Sequence, residues 1–316
     1  MTKAVLTTKV SPVYDDLPEV RYHFPKTYLA QLSKSVGDWI IYYEPRRSTS
    51  HLSSRGGRQV YFATARVERI TADPVRTDHY YAEVSNYLQF LHPVPFKEGP
   101  LYYERSLEKS DGSTNKGAFG RAVRNLKDSE FDLIWQAGFV RDIDLEEQVR
   151  LESDVPEEPL HTIGGIRQRR SQYLLDVPIE QDRRVIQQLV SRPFRDRAFS
   201  AAVKEAYRDT CAVTGLKIIN GGGRSEVQAA HIQPVQHRGP DSVRNGIALS
   251  GTIHWMFDRG LISLDDDYNV LLAADHIPDT VERLLGGNRK LLLPERPDMY
   301  PHNRFLNYHR LEIFKG

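Results

Sequence analysis

The stretch EVQAAHIQPVQHRGPDSVRNGIALSGTIHWMFDRG (226–260) decides how this chain is read. Its apolar opening ends at His231, and a single histidine beside alanines is ordinarily a packed side chain. Upstream, CAVTGLKIINGGGR (211–224) sets two short runs around an NGGG turn, the local chemistry of a hairpin, which puts His231 at the end of the second strand. Downstream, VQHRGPDSVR (235–244) is polar and irregular; Ser250 is then placed to cap a short helix whose end Gly260 marks. The expected order is strand, strand, loop, helix. His231, Asn245 and His254 therefore fall on a hairpin strand, a loop edge and a helix, separated by 14 and then 9 residues.

That spacing is joined by other words in a fixed order: Ala206-Tyr207, CAVTG (211–215), AAHIQP (229–234), NGIALS (245–250), HWMFDRGLI (254–262) and the closing NYHRLEIF (307–314). Together they resemble the HNH (ββα-metal) endonucleases, over about residues 190–312. The resemblance implies a restriction-type, bacterial enzyme that hydrolyses phosphodiester bonds in double-stranded DNA. It implies His231 as general base, His254 as a metal ligand on the helix, and Asn245 as a brace that orients the base without touching substrate. The residue types suit the chemistry. Hydrolysis needs a deprotonated water and a cation beside the phosphate; imidazole titrates near neutrality and, when neutral, also binds divalent metals. One divalent ion per site is expected, Mg²⁺ or Mn²⁺, with Zn²⁺ or Ni²⁺ as alternatives.

Two positions depart from the family pattern. Ala230 stands where many HNH enzymes carry a metal-binding acid or histidine directly before the base. Asp258, four residues after His254 and so on the same helix face, is the candidate second ligand, with a plain helix-end ion pair as the other reading. Glu226 would lie on the opposite strand face from His231. His237 and Asp241 are read as loop residues suited to a phosphate contact or to solvation. Arg238 and Arg244 are candidate grips on the DNA backbone, or solvated loop arginines. The second departure is the lone Cys211, read as a buried small hydrophobe, which excludes a four-cysteine structural zinc and any internal disulfide.

The chain has 316 residues, of which 40% are hydrophobic, enough for two domains with their own cores. A net charge of +1 says little about partners, because basic RQRR (167–170) and RPFRDR (192–197) offset acidic DLEEQVRLESDVPEEP (144–159). Neither a membrane-length apolar run nor a signal-peptide core in MTKAVLTTKVSPVYDD (1–16) is present, so a cytoplasmic protein is expected.

From Val36 to Phe96 short β-rich runs alternate with turns, which reads as a small twisted sheet or barrel. A helix is expected within FGRAVRNLKDSEFDLIWQAGF (119–139), closing the domain near residue 140. VGDWIIYYEP (36–45) followed by YFATARVERI (61–70) loosely resembles the opening of PUA-like barrels, the superfamily of the EVE and SRA readers of modified bases. That likeness implies base flipping and a modified cytosine (5-methylcytosine or 5-hydroxymethylcytosine) as target, with Trp39 and Tyr42 as candidate pocket walls. Arg46, Arg47, Arg55 and Arg58 of the loop EPRRSTSHLSSRGGR (44–58) are candidate phosphate contacts.

The reading is thus an α+β protein: a PUA-like β-barrel recognition domain (1–140), a linker (141–180) and an HNH ββα-metal domain with flanking helices (181–316). One HNH site cuts one strand, so a homodimer is expected on DNA. The rivals are an HNH restriction or nicking enzyme reading unmodified DNA, and a non-catalytic DNA-binding protein whose metal site has decayed at Ala230.

Overall fold

The computed structural model describes residues 2–8, 17–45, 58–139, 192–273, 277, 285 and 289–316. The expected linker 141–180 and Arg46, Arg47 and Arg55 lie outside them. Two compact units form, Met1–Val84 with Phe90–Phe194, and Ser85–Gln89 with Arg195–Gly316.

The N-terminal unit is built on a six-stranded sheet. Its strands are β1 (Lys3–Thr7), β2 (Arg21–Pro25), β3 (Trp39–Glu44), β4 (Val60–Ala72), β5 (His79–Pro95) and, beyond the two-residue ribbon of β6 (Lys97–Glu98) and β7 (Leu101–Tyr102), β8 (Val123–Leu126). The order β2-β5-β4-β3-β1-β8 leaves the sheet open, curled into a half-barrel rather than the expected barrel. Two strands precede Val36, where the alternation had suggested the sheet begins: β1 runs parallel to β3 and antiparallel to β8. The curl is visible in one side chain. Tyr22 on β2 reaches Tyr42 on β3, ring centres 6.5 Å apart, and its hydroxyl donates to Thr7 O on β1 (3.0 Å).

Residues 119–139 are not one helix. After the short helix α1 (Leu29–Leu32) near the N-terminus, α2 (Lys116–Phe119) ends early, VRNL pairs as β8, and α3 occupies 128–139. Val123 and Leu126 satisfied a helical period, yet the open edge of β1 offers Val123–Leu126 a complete ladder, and tertiary pairing overrides propensity. Lys127 N–H then donates to the Glu130 carboxylate (3.0 Å), a reciprocal cap that starts α3. Helix α3 buries Phe131, Ile134, Trp135 and Phe139. It lies close because position 138 is glycine: a Cβ there would stand 2.7 Å from the Phe90 ring.

A charge pair is sealed inside this unit. Arg124 donates to Glu104 from Nε (2.7 Å) and Nη2 (2.8 Å), both residues being almost fully buried. Burial, and then the Glu104 carboxylate, raise the Tyr61 hydroxyl well above the usual tyrosine range, so it stays protonated and donates to Glu104 Oε1 (2.7 Å). Arg58 is likewise committed to structure, with Nε 2.8 Å from Glu44 Oε2.

The C-terminal unit begins on α4 (Arg192–Ala206) and carries a two-stranded ribbon, β9 (Gln228–His231) antiparallel to β10 (Gly246–Leu249), in which Gly246 faces His231. This corrects the expected hairpin. The NGGG turn is real, with Asn220 Oδ1 accepting from Gly222 N and Arg224 N, but it closes only a single bridge, Ile219 to Ser225. β9 instead pairs across the loop 232–245, so the order is strand, loop, strand, helix. Helix α5 (Gly251–Asp258) ends with Gly260 at φ +71°, Gly260 N bonding Phe257 O and Leu261 N bonding Met256 O. A second ribbon, β11 (Ile262–Leu264) with β12 (Val270–Leu272), and α6 (Asn303–Glu312) complete the unit. Cys211 is fully buried.

Helix α6 is locked to α5 by His309. Its ring stacks on Phe257 (centroids 3.8 Å, 15°), with Nε2 donating to Phe257 O (3.1 Å) and Nδ1 accepting from Ser263 Oγ (2.9 Å). Burial holds this imidazole down at about 4. The unfolded chain therefore takes up a proton below about 6.5 that the folded chain refuses, and stability is full above that value and declines as pH falls toward 4. Chemical denaturation is expected to show the C-terminal unit losing about 2 kcal/mol between pH 7.5 and pH 5, a slope that His309→Gln removes. In the N-terminal unit, Glu104→Leu is expected to cost about 3–5 kcal/mol in urea unfolding by stranding the Arg124 charge, and adding Arg124→Met to restore much of it.

Candidate active site

The ribbon β9–β10 and helix α5 gather the three residues that the spacing singled out. Glu226, just before β9, accepts from Gly251 N through Oε1 (2.8 Å) and so caps α5, placing a carboxylate at the helix's positive end. Ser250, expected to be the cap, stands at the N-cap position but makes no side-chain capping bond. The cap ties α5 to the segment that enters β9, the strand that ends at His231.

Asn245 is fully buried immediately before β10. Its Nδ2 donates to Gln233 O and to Pro240 O (3.0 Å each), and its Oδ1 accepts from Gln233 N (2.9 Å). One side chain thereby ties the start of the 232–245 loop to its end. Within the loop Gly239 donates to Pro234 O (3.0 Å), and a Cβ on it would stand 1.7 Å from Gln233 O, so only glycine fits. Gly246 is equally constrained: its Cβ would stand 2.4 Å from Val203 and 3.0 Å from Phe199 on α4.

His231, at the end of β9, is partly buried, with 18% of its side chain exposed. Phe199 covers one ring face at 3.8 Å and 12°. Its Nε2 lies 3.0 Å from Oδ1 of Asp241, whose side chain has no exposed surface. The other carboxylate oxygen, Oδ2, accepts from Arg195 Nε (2.8 Å) and Nη2 (2.5 Å). Asp241 is therefore a buried partner of His231, not the solvated loop acid expected from sequence.

His254 on α5 is held by Gln228 of β9, whose Oε1 accepts from Nδ1 (2.8 Å). This leaves Nε2 as the nitrogen with a lone pair to offer, and Asp258 Oδ2 lies 3.4 Å from it, one helical turn on. A histidine nitrogen and a carboxylate oxygen so placed suit adjacent positions on one hydrated divalent ion. Among the described residues no cluster of three histidine, cysteine or acidic side chains forms, so these two donors would leave most of the coordination to water and phosphate. Ala230 is fully buried and paired with Ile247, so the position where the sequence resemblance would place a metal ligand faces the core.

Arg238 is exposed at φ +64° on the loop, and Arg244, six residues on, is partly buried. Trp39 is partly buried against Trp135 of α3 (6.0 Å), whereas Tyr42 has no exposed surface and packs on Tyr22 and Phe62. Being three apart on β3, Trp39 and Tyr42 point to opposite faces of the sheet, so they do not form the two walls of one pocket. Arg195, Phe199 and Gln228 went unread in the sequence because their partners lie far along the chain, and Asp241 was read only as a loop residue for phosphate or solvent. Gln228, three residues before His231 on a strand abutting the helix, left the nearest thing to a signal.

Residues 211–265 match the model of the HNH endonuclease family, so this part of the chain is an HNH endonuclease domain and the protein is an endonuclease. No curated protein matches the chain. Among solved structures, the modification dependent TagI restriction endonuclease is 14% identical with a TM-score of 0.29, the alignment covering 98% of this chain and 81% of that one. The type IV phosphorothioation-dependent restriction endonuclease ScoMcrA is 12% identical with a TM-score of 0.21, covering 97% and 50%. Superpositions this loose carry no argument about this chain.

The loop brace gives a direct expectation. Asn245→Asp sets a carboxylate against the carbonyl oxygens of Gln233 and Pro240 where an amide now donates, and thermal unfolding should show a loss of about 3 kcal/mol.

Proposed function

We propose that the chain is a metal-dependent DNA endonuclease of restriction type, with His231 as general base. The observation that carries this reading is the single ββα unit in which Asn245 clamps the loop behind His231 while α5 presents His254 and Asp258. In the proposed step, His231 Nδ1 takes a proton from water as the water oxygen bonds to phosphorus. The phosphorus bond to the leaving deoxyribose oxygen breaks, and that oxygen takes a proton from solvent. A divalent cation, Mg²⁺ or Mn²⁺, held by His254 Nε2 and Asp258, would neutralise charge on the phosphate and leaving oxygen. Asn245 stays buried and acts only through the loop. Arg238 and Arg244 supply positive charge to the DNA backbone, as would Arg46, Arg47 and Arg55.

The N-terminal unit is proposed as the recognition domain. Its aromatic-rich strands and the likeness of VGDWIIYYEP to PUA-like barrels support a reader of modified cytosine by base flipping; of the two candidate rings, Trp39 keeps surface to offer and Tyr42 serves the core. Two copies of the chain would cut the two strands. No described helix is long and apolar enough to cross a membrane.

The test is cleavage of one DNA sequence in unmodified, 5-methylcytosine and 5-hydroxymethylcytosine forms with Mg²⁺ or Mn²⁺. Wild-type protein should cut the modified forms, and His231→Ala should reduce cutting by about 10²–10⁴-fold. Equal cutting of all three forms removes the modification reader but leaves the nuclease. His254→Ala should weaken Mn²⁺ binding in calorimetry; if wild-type protein binds no Mn²⁺ and cuts nothing, the domain is a binding module.

A further inference from the structure

We infer that Asp241 is a positioning residue that fixes the tautomer of His231, and that Arg195 fixes which way Asp241 acts. This rests on the reading of His231 as the base. A carboxylate only accepts hydrogen bonds, so the 3.0 Å contact from Asp241 Oδ1 makes His231 Nε2 the protonated nitrogen. The lone pair is then on Nδ1, the atom required to take a proton from water. Phe199, stacked on one face of the ring, holds it in the plane in which Nε2 meets Asp241. The same carboxylate faces the imidazolium that forms once the proton arrives.

Arg195 makes the arrangement one-way. Its Nε and Nη2 both donate to Asp241 Oδ2, and the carboxylate side chain is wholly buried between guanidinium and imidazole. An amide in place of the acid could not turn its NH₂ toward Arg195, since donor would meet donor. It would turn the NH₂ toward His231, whose Nε2 must then accept, and the ring proton would move to Nδ1. That ring cannot accept a proton from water there. Asp241→Asn keeps shape and volume and inverts only this polarity, the same logic by which removing the orienting acid of a Ser-His-Asp triad lowers turnover about 10⁴-fold.

The experiment pairs kinetics with a measurement that does not need cleavage. ¹⁵N-histidine NMR of the full chain under alkaline conditions, with the His231 signal identified as the one lost in His231→Gln, is expected to show the proton on Nε2 in the wild type and on Nδ1 in Asp241→Asn. In DNA cleavage, Asp241→Asn is expected to lower kcat by about 10²-fold or more with KM within about threefold of wild type. A wild-type ring protonated on Nδ1, or an Asp241→Asn enzyme with undiminished kcat, overturns the inference. If the variant fails to fold, the wild-type spectrum still decides. If wild-type protein cuts no DNA, the nuclease reading falls while the tautomer of His231 independently upholds or overturns the role of Asp241.

Discussion

The buried amide of Asn245 is the constraint on which the candidate site depends. Its bonds to Gln233 N, Gln233 O and Pro240 O close the 232–245 loop at both ends. That loop carries Asp241, and its two ends are the end of β9 and the start of β10, so the amide sets the distance between His231 and its carboxylate. A shorter side chain would not span the gap, and a charged one would repel the carbonyls it now satisfies. Gly239 and Gly246 extend the same constraint sterically, one letting the loop backbone fold onto Gln233, the other letting α4 bring Phe199 and Val203 down to β10.

With one cysteine the chain forms neither a four-cysteine zinc site nor an internal disulfide, and polar contacts between distant segments tie this arrangement together. Glu226 caps α5 from the β9 side, Gln228 holds His254, and His309 joins α6 to the C-terminal end of α5 through its ring and Nε2 and to Ser263 of β11 through Nδ1. Of these groups His309 is buried and would be costly unsatisfied, while Glu226 and Gln228 are exposed and act as ties between elements. The site therefore sits on elements that are cross-tied rather than on a free loop. The N-terminal unit follows the same rule at greater depth, where Glu104 and Arg124 neutralise each other within an aromatic interior.

Helix α5 carries one acid at its start and another, Asp258, at its end, and only the first matches the helix dipole. The Glu226 cap complements the positive end of the helix, while His254 and Asp258 share one face in the turn that follows. The exposed Arg238 lies on the loop between the two strands.

The sequence by itself determined the short-range features. The words from CAVTG to HWMFDRGLI placed an HNH domain, Gly260 marked the end of α5, and Cys211 read as a buried hydrophobe; each depends on neighbours within a turn or a strand. Tertiary structure alone decided what depends on pairing across distance. β9 took β10 as its partner and left the NGGG turn with one bridge, Val123–Leu126 became a strand because β1 had an edge to fill, and Tyr42 was absorbed by the curl that brings Tyr22 to it. Asp241 is the clearest case. Nothing local in RGPDSVR distinguishes a solvated loop acid from a buried one, and only the closing of the loop by Asn245 and the approach of Arg195 from α4 put it out of water and against His231. Periodicity and capping record the energies of near neighbours, whereas burial of a charge is settled by which distant surfaces meet.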